Sequence, residues 1–142
     1  MTSEALDEQT RAEWRALGFF YDYTEATRTW SIRASRSGFA RLSYELRCYA
    51  RDARNRQVSE REHYGPYSSL KFVTWPEPKI SSDGFYGRLE DFEELAALVD
   101  GAIRHARPGD RIRLEQAYSE ASDAKLELIV EDDGFDPASA SS

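Results

Sequence analysis

The chain has 142 residues, of which 40% are hydrophobic and 32% charged, with a net charge of -7, a profile that fits one folded domain. Its 3 Trp, 8 Tyr and 7 Phe exclude a disordered chain, which could not offset its ordering entropy, and a mean hydropathy of -0.70 without any long apolar run excludes a membrane-spanning helix. The one cysteine, Cys48, cannot form an internal disulfide, so a reducing cytoplasm is the expected compartment.

The domain is expected to span residues 1–142, with ends that fray at about 1–10 and 136–142, where the chain is polar and small. The acidic opening also lacks the apolar centre of a secretory signal. Residues 17–24 are rich in strand formers, with Phe19, Tyr21 and Tyr23 on one face and Phe20 and Asp22 on the other. A turn at Glu25-Ala26-Thr27 returns the chain as a second strand, in which Trp30, Ile32 and Ala34 alternate against polar neighbours.

Ser35 to Gly38 reads as a helix N-cap. Phe39, Leu42, Leu46, Tyr49, Ala50 and Ala53 then follow at helical spacing. Residues 54–67 read as a polar loop, and residues 70–75 as a third strand ending at Pro76 and Pro78. A fourth strand, made irregular by Gly84 and Gly87, covers residues 79–89. Phe92, Leu95, Ala96, Val99 and Ile103 set a second helix over about 90–106, with acids in its first turn and Pro108-Gly109 after it. Residues 111–118 and 124–131 complete the set as two more strands. The expected class is therefore α+β in the order ββαββαββ, an antiparallel sheet with two helices packed on one face. Two equivalent ββα units fit that order, but no internal sequence repeat is visible.

Charge is uneven along the chain. Residues 1–27 carry six acids and two arginines, residues 28–61 nine arginines and three acids, and residues 62–142 seventeen acids and eight bases. The net negative charge disfavours nucleic acid as a partner. The stripe Arg47, Arg51 and Arg54 on the first helix is the one feature that could read phosphates, against its ordinary use as a solvated face.

No catalytic, cofactor-binding or metal-ligating motif is present. There is no Gly-x-Ser-x-Gly, no phosphate-binding glycine loop and no paired Cys-x-x-Cys. The most unusual string is His63-Tyr64-Gly65-Pro66-Tyr67. It presents two phenols and a histidine on a stiff turn, suited to anchoring a partner because tyrosine carries large area at small entropic cost. The acidic segment Asp91, Glu93 and Glu94 is first explained by helix capping and second by contact with a basic partner. Tyr64, Tyr67, His63, Asp91, Glu93 and Glu94 are thus the candidate partner-binding residues. The alternative is a small enzyme or ligand-binding domain with its site around His63 and the 54–67 loop, where His63 would act as a general base.

The stretch Glu13-Trp14-Arg15-Ala16-Leu17-Gly18-Phe19-Phe20-Tyr21-Asp22-Tyr23, the string His63 to Tyr67, residues 70–75, residues 87–95 and Gly134-Phe135-Asp136-Pro137 resemble a group of small bacterial α+β proteins similar to immunity proteins of polymorphic toxin systems. The resemblance spans most of the chain. It implies a non-catalytic cytoplasmic protein that binds a protein partner, a toxin, and neutralises it by occlusion. It carries over no catalytic residue.

Overall fold

The computed structural model describes residues 2–141. Helix α1 (Ser3–Leu17) opens the chain, where a frayed end was expected. Its caps explain it: the Thr2 side chain accepts a hydrogen bond from the Ala5 amide, and Gly18, at φ 90°, closes the last turn onto the Trp14 carbonyl. A single side chain of the helix, Trp14, is buried. At its end Arg15 forks onto Asp136 at 2.9 and 3.1 Å, which ties α1 to a C-terminal 3-10 helix over Pro137–Ser141. That pairing holds the Asp136 carboxyl below the ordinary range.

Strands β1 (Phe20–Thr24) and β2 (Thr29–Ala34) form the expected hairpin. Helix α2 (Arg36–Ala50) follows, capped by the Ser35 hydroxyl on the Gly38 amide. The expected loop after it contains a 3-10 turn (Ala53–Arg56) and a strand, β3 (Arg61–Tyr64), paired with β4 (Leu70–Thr74). The long irregular fourth strand is instead a second tight hairpin, β5 (Lys79–Ser81) and β6 (Gly84–Gly87). Helix α3 (Leu89–Ile103) leads into β7 (Arg111–Arg113), a one-turn helix α4 (Glu115–Tyr118) and β8 (Lys125–Val130).

The eight strands make two four-stranded sheets, ordered β1-β2-β8-β7 and β3-β4-β6-β5. This corrects the single antiparallel sheet. Each sheet consists of two antiparallel hairpins joined by a parallel central pair, β2 with β8 and β4 with β6. The two halves of the chain, β1β2α2β3β4 and β5β6α3β7β8, therefore each give one hairpin to each sheet. Exchanging the halves maps one sheet onto the other.

The two long helices share this relation. Each has 15 residues and starts two positions after a strand ends. Laid start on start, Phe39, Leu42, Ser43 and Leu46 of α2 occupy the positions of Phe92, Leu95, Ala96 and Val99 of α3, and all eight are buried. The helices run in opposite senses. Arg36, at the start of α2, donates to the carbonyls of Arg104 and Ala106 beyond α3, and Arg51, after α2, pairs with Glu93 in the first half of α3. One hydrophobic cluster joins the helices to both sheets. Among the described residues no helix is long and apolar enough to cross a membrane.

Gly38 is required at its place, because a Cβ there would run into the Gly18 carbonyl oxygen and lie 2.7 Å from the Ala34 Cβ. Gly101, on the exposed side of α3, meets nothing within 4 Å. Gly101→Ala is expected to stabilise the protein by about 0.5–1 kcal/mol through helix propensity. Gly38→Ala is expected to destabilise it by about 1–3 kcal/mol through overpacking. Urea unfolding of the two variants checks both signs.

Glu115, 7% exposed, pins the β7–α4 turn to β8. It takes two hydrogen bonds from Arg113, at 2.8 and 2.6 Å, and one from the Leu126 amide at 3.1 Å. The Arg113 fork first, and then the Leu126 amide, hold this carboxyl below its ordinary value of 4.5. A depressed folded value means that the stabilisation is full above 4.5 and is lost as pH falls through the folded value. Glu115→Gln should cost about 1–3 kcal/mol at neutral pH, with the penalty shrinking as pH falls below 4.5. Unfolding curves of both proteins across that range measure it.

Candidate functional site

The site follows from where the aromatic residues go. Strand β1 carries rings on both of its faces, Phe20 on one and Tyr21 and Tyr23 on the other. It is also the edge strand of its sheet, with β2 as its sole strand neighbour. Trp14 of α1 covers it, with ring centroids 4.7 Å from Phe20 and 5.0 Å from Tyr21. Trp30 lies on β2 beside it, 5.1 Å from Tyr23 and 5.9 Å from Tyr21.

The second sheet closes the other side. The Tyr21 phenol donates to the Tyr64 carbonyl at 2.5 Å, beneath the turn between β3 and β4. Gly65 permits that approach: its φ is +84°, and a Cβ there would lie 2.5 Å from the Tyr21 phenol oxygen. The Trp30 indole N–H donates to the Ser81 carbonyl at 2.7 Å, which brings the β5–β6 turn up to the same edge.

Between these walls lies a cleft of about 600 Å³, lined by Trp14, residues 20–23, Trp30, Tyr67, Ser69, Ser82, Asp83 and Ala140. Tyr67 forms its rim, 68% exposed and edge-on to Trp14 at 6.2 Å. Beneath its surface, two polar atoms of lining residues are buried without a hydrogen-bond partner among the described residues, the Trp14 indole nitrogen and the Tyr23 phenol oxygen. Such atoms cost about 1–3 kcal/mol each when left unpaired.

The charge of the cleft has one sign. Asp22 is exposed and forms no ion pair among the described residues, and Asp83 accepts the Tyr86 phenol at 2.8 and 3.0 Å. Burial, reinforced by Asp83, pushes the Tyr86 phenol up to about 12. No lysine, arginine or histidine lines this cleft. Two other clefts of about 600 and 560 Å³ do carry cations, Arg28, Arg113 and Lys125 in one and Arg56 and Arg88 in the other.

The sequence-predicted residues divide between this cleft and other surfaces. Tyr67 belongs to the cleft. Tyr64 is half-buried on β3, its ring 4.2 Å from Phe72, and burial raises its phenol well above the ordinary range. Tyr64 supports the cleft through its carbonyl rather than its ring. His63 faces solvent on β3 in register with Lys71, with its Nδ1 3.1 Å from the Ser68 carbonyl oxygen. His63 is outside the cleft.

Asp91 is 4% exposed. It caps α3, accepting from the Arg88 amide at 2.8 Å and the Arg88 side chain at 3.0 Å. Glu93 pairs with Arg51 at 2.7 Å, while Glu94 is exposed. None of these three acids lines the cleft that holds Tyr67. The arginine stripe is likewise committed: Arg47 to Asp100, Arg51 to Glu93 and Arg54 to Asp52, each at 2.7 Å. Its charge bridges α2 to α3 and closes the 3-10 turn.

Sequence reasoning missed Trp14, Asp22, Tyr23, Trp30 and Asp83 as one site. The available signal was β1 itself, since aromatic residues on both faces of a strand mean that both faces are covered. Tyr21→Phe removes the bond to Tyr64 and is expected to cost about 1–2 kcal/mol. It should also loosen the turn that carries Tyr67, read as faster amide exchange at residues 64–69.

Comparison with family models, with curated proteins and with solved structures finds no match to the chain.

Proposed function

We propose that the protein is a non-catalytic, cytoplasmic protein-binding domain of the immunity type, which neutralises a toxin by occluding it. The observation that carries this reading is the aromatic cleft, with an exposed tyrosine on its rim. A cleft of that kind receives a side chain from a partner. Large rings supply contact area without much entropy loss.

The walls of the cleft are built for binding rather than turnover. Trp14 and Trp30 are each 1% exposed and packed on several rings, so the shape is set before a partner arrives and little ordering entropy is lost. Tyr67 stands exposed at the rim, where its ring is open to a partner. The acidic surface beside it, with Asp22 at the edge strand and a chain charge of -7, would speed encounter with a basic partner. Occlusion follows from size, because a standard interface of about 800 Å² per partner covers the mouth of an enzyme cleft.

A tagged pull-down from the native host, read by mass spectrometry at low and moderate salt, tests the reading. One stoichiometric partner that survives moderate salt is expected. Tyr67→Ala should then weaken its affinity by about tenfold or more, with an unchanged melting temperature because the ring is exposed. An affinity unmoved by Tyr67→Ala would place the interface elsewhere.

A further inference from the structure

We infer that the occupant of the cleft is an arginine side chain of the partner; this rests on the protein-binding reading above. Two features of the lining select it. The first is the combination of rings with carboxylates. Trp14, Phe20, Tyr21, Tyr23, Trp30 and Tyr67 line the cleft together with Asp22 and Asp83. Aromatic faces attract cations through their quadrupole, and guanidinium most of all among side chains because it stacks flat.

The second feature is the absence of any competing cation in the lining. Elsewhere in the fold arginines pair with carboxylates, as at Asp136, Glu131, Asp100 and Glu93, but among the described residues no ion pair involves Asp22. An anionic ligand would meet two carboxylates here, and a purely apolar one would leave Asp22 facing it.

The probe is the capped tripeptide acetyl-Gly-Arg-Gly-amide, titrated into the intact protein and followed by tryptophan fluorescence, since Trp14 and Trp30 both line the cleft. The control is the same peptide with citrulline, which keeps the shape and loses the charge. Saturable quenching by the arginine peptide is expected, about tenfold tighter than citrulline. Asp22→Asn should reduce that preference to about threefold or less. Asp22 is exposed and unpaired, so the variant folds, which far-ultraviolet circular dichroism confirms.

Equal binding of both peptides, or a preference unaltered by Asp22→Asn, would overturn the inference and leave the cleft as a binding site. If neither peptide binds while Tyr67→Ala still weakens the captured partner, the arginine assignment fails and the protein-binding reading stands. If the arginine peptide binds as expected but the captured partner ignores Tyr67→Ala, the assignment of the cation stands and the reading of the interface fails.

Discussion

The seam between the two sheets is the constraint on which the rest depends, and Trp30 is its centre. The side chain is 1% exposed, and its indole N–H reaches across to the Ser81 carbonyl of the other sheet at 2.7 Å. Its ring meets Tyr21 and Tyr23 on one side and Phe85 on the other, 6.3 Å away. A buried ring of this size removes about 150–250 Å² from water. Backbone bonds extend the seam: the Ile80 carbonyl accepts from the amides of Asp123 and Ala124, and the Ser122 hydroxyl accepts from the Ile80 amide. Two sheets that met only through side chains could slide. These fixed donors and acceptors set their register.

Exchange of hairpins between the halves explains why the seam must be strong. Neither half holds a complete sheet, so each half is stable only when the other is in place. The α2–α3 contact lies at the centre of that arrangement, with Phe39, Leu42 and Leu46 in the same helical positions as Phe92, Leu95 and Val99. The relation breaks outside the halves. Helix α1 and the C-terminal 3-10 helix pack against the β1–β2 side and have no counterpart before β5, where Trp75 to Pro78 form a short connection. There the rings of Trp75 and Tyr86 are covered instead by Lys79, whose Nζ sits 5.8 and 4.9 Å above them. The candidate cleft lies where the symmetry fails, between the added helix and the edge of an otherwise repeated architecture.

What the sequence made legible was local. The β1–β2 hairpin, both long helices and β8 follow from periodicity and caps, because those signals lie within about a dozen residues. The parallel pairs did not follow. Thr29 pairs beside Lys125 and Lys71 beside Gly84, and a half-buried strand reads the same whichever direction its neighbour runs. Helix α1 was missed because its first turns are polar and acidic, like a frayed end, and the shared helix positions were missed because Ser43 and Ala96, or Arg47 and Asp100, match in place but not in chemistry. At the site, Tyr67 was legible as an exposed ring on a Gly-Pro turn. Its companions were not, because Trp14, Tyr23 and Asp83 come from three distant elements, and each alone reads as ordinary core or turn.

The distribution of charge shows why this cleft, and not a more obvious basic or acidic segment, is the place to look. The conspicuous runs are used internally: the arginines of α2 pair with the acids of α3, and Asp91 caps its own helix. Charge that is paired within the fold is weakly available to a partner, since a new contact must first break the old one. Asp22 is inconspicuous in sequence, a single acid between two tyrosines, yet it stands unpaired at an aromatic edge. On the protein-binding reading proposed above, an acid that keeps its charge free beside aromatic rings, rather than the most densely charged segments, is what a cationic partner can engage without first breaking a contact of the fold.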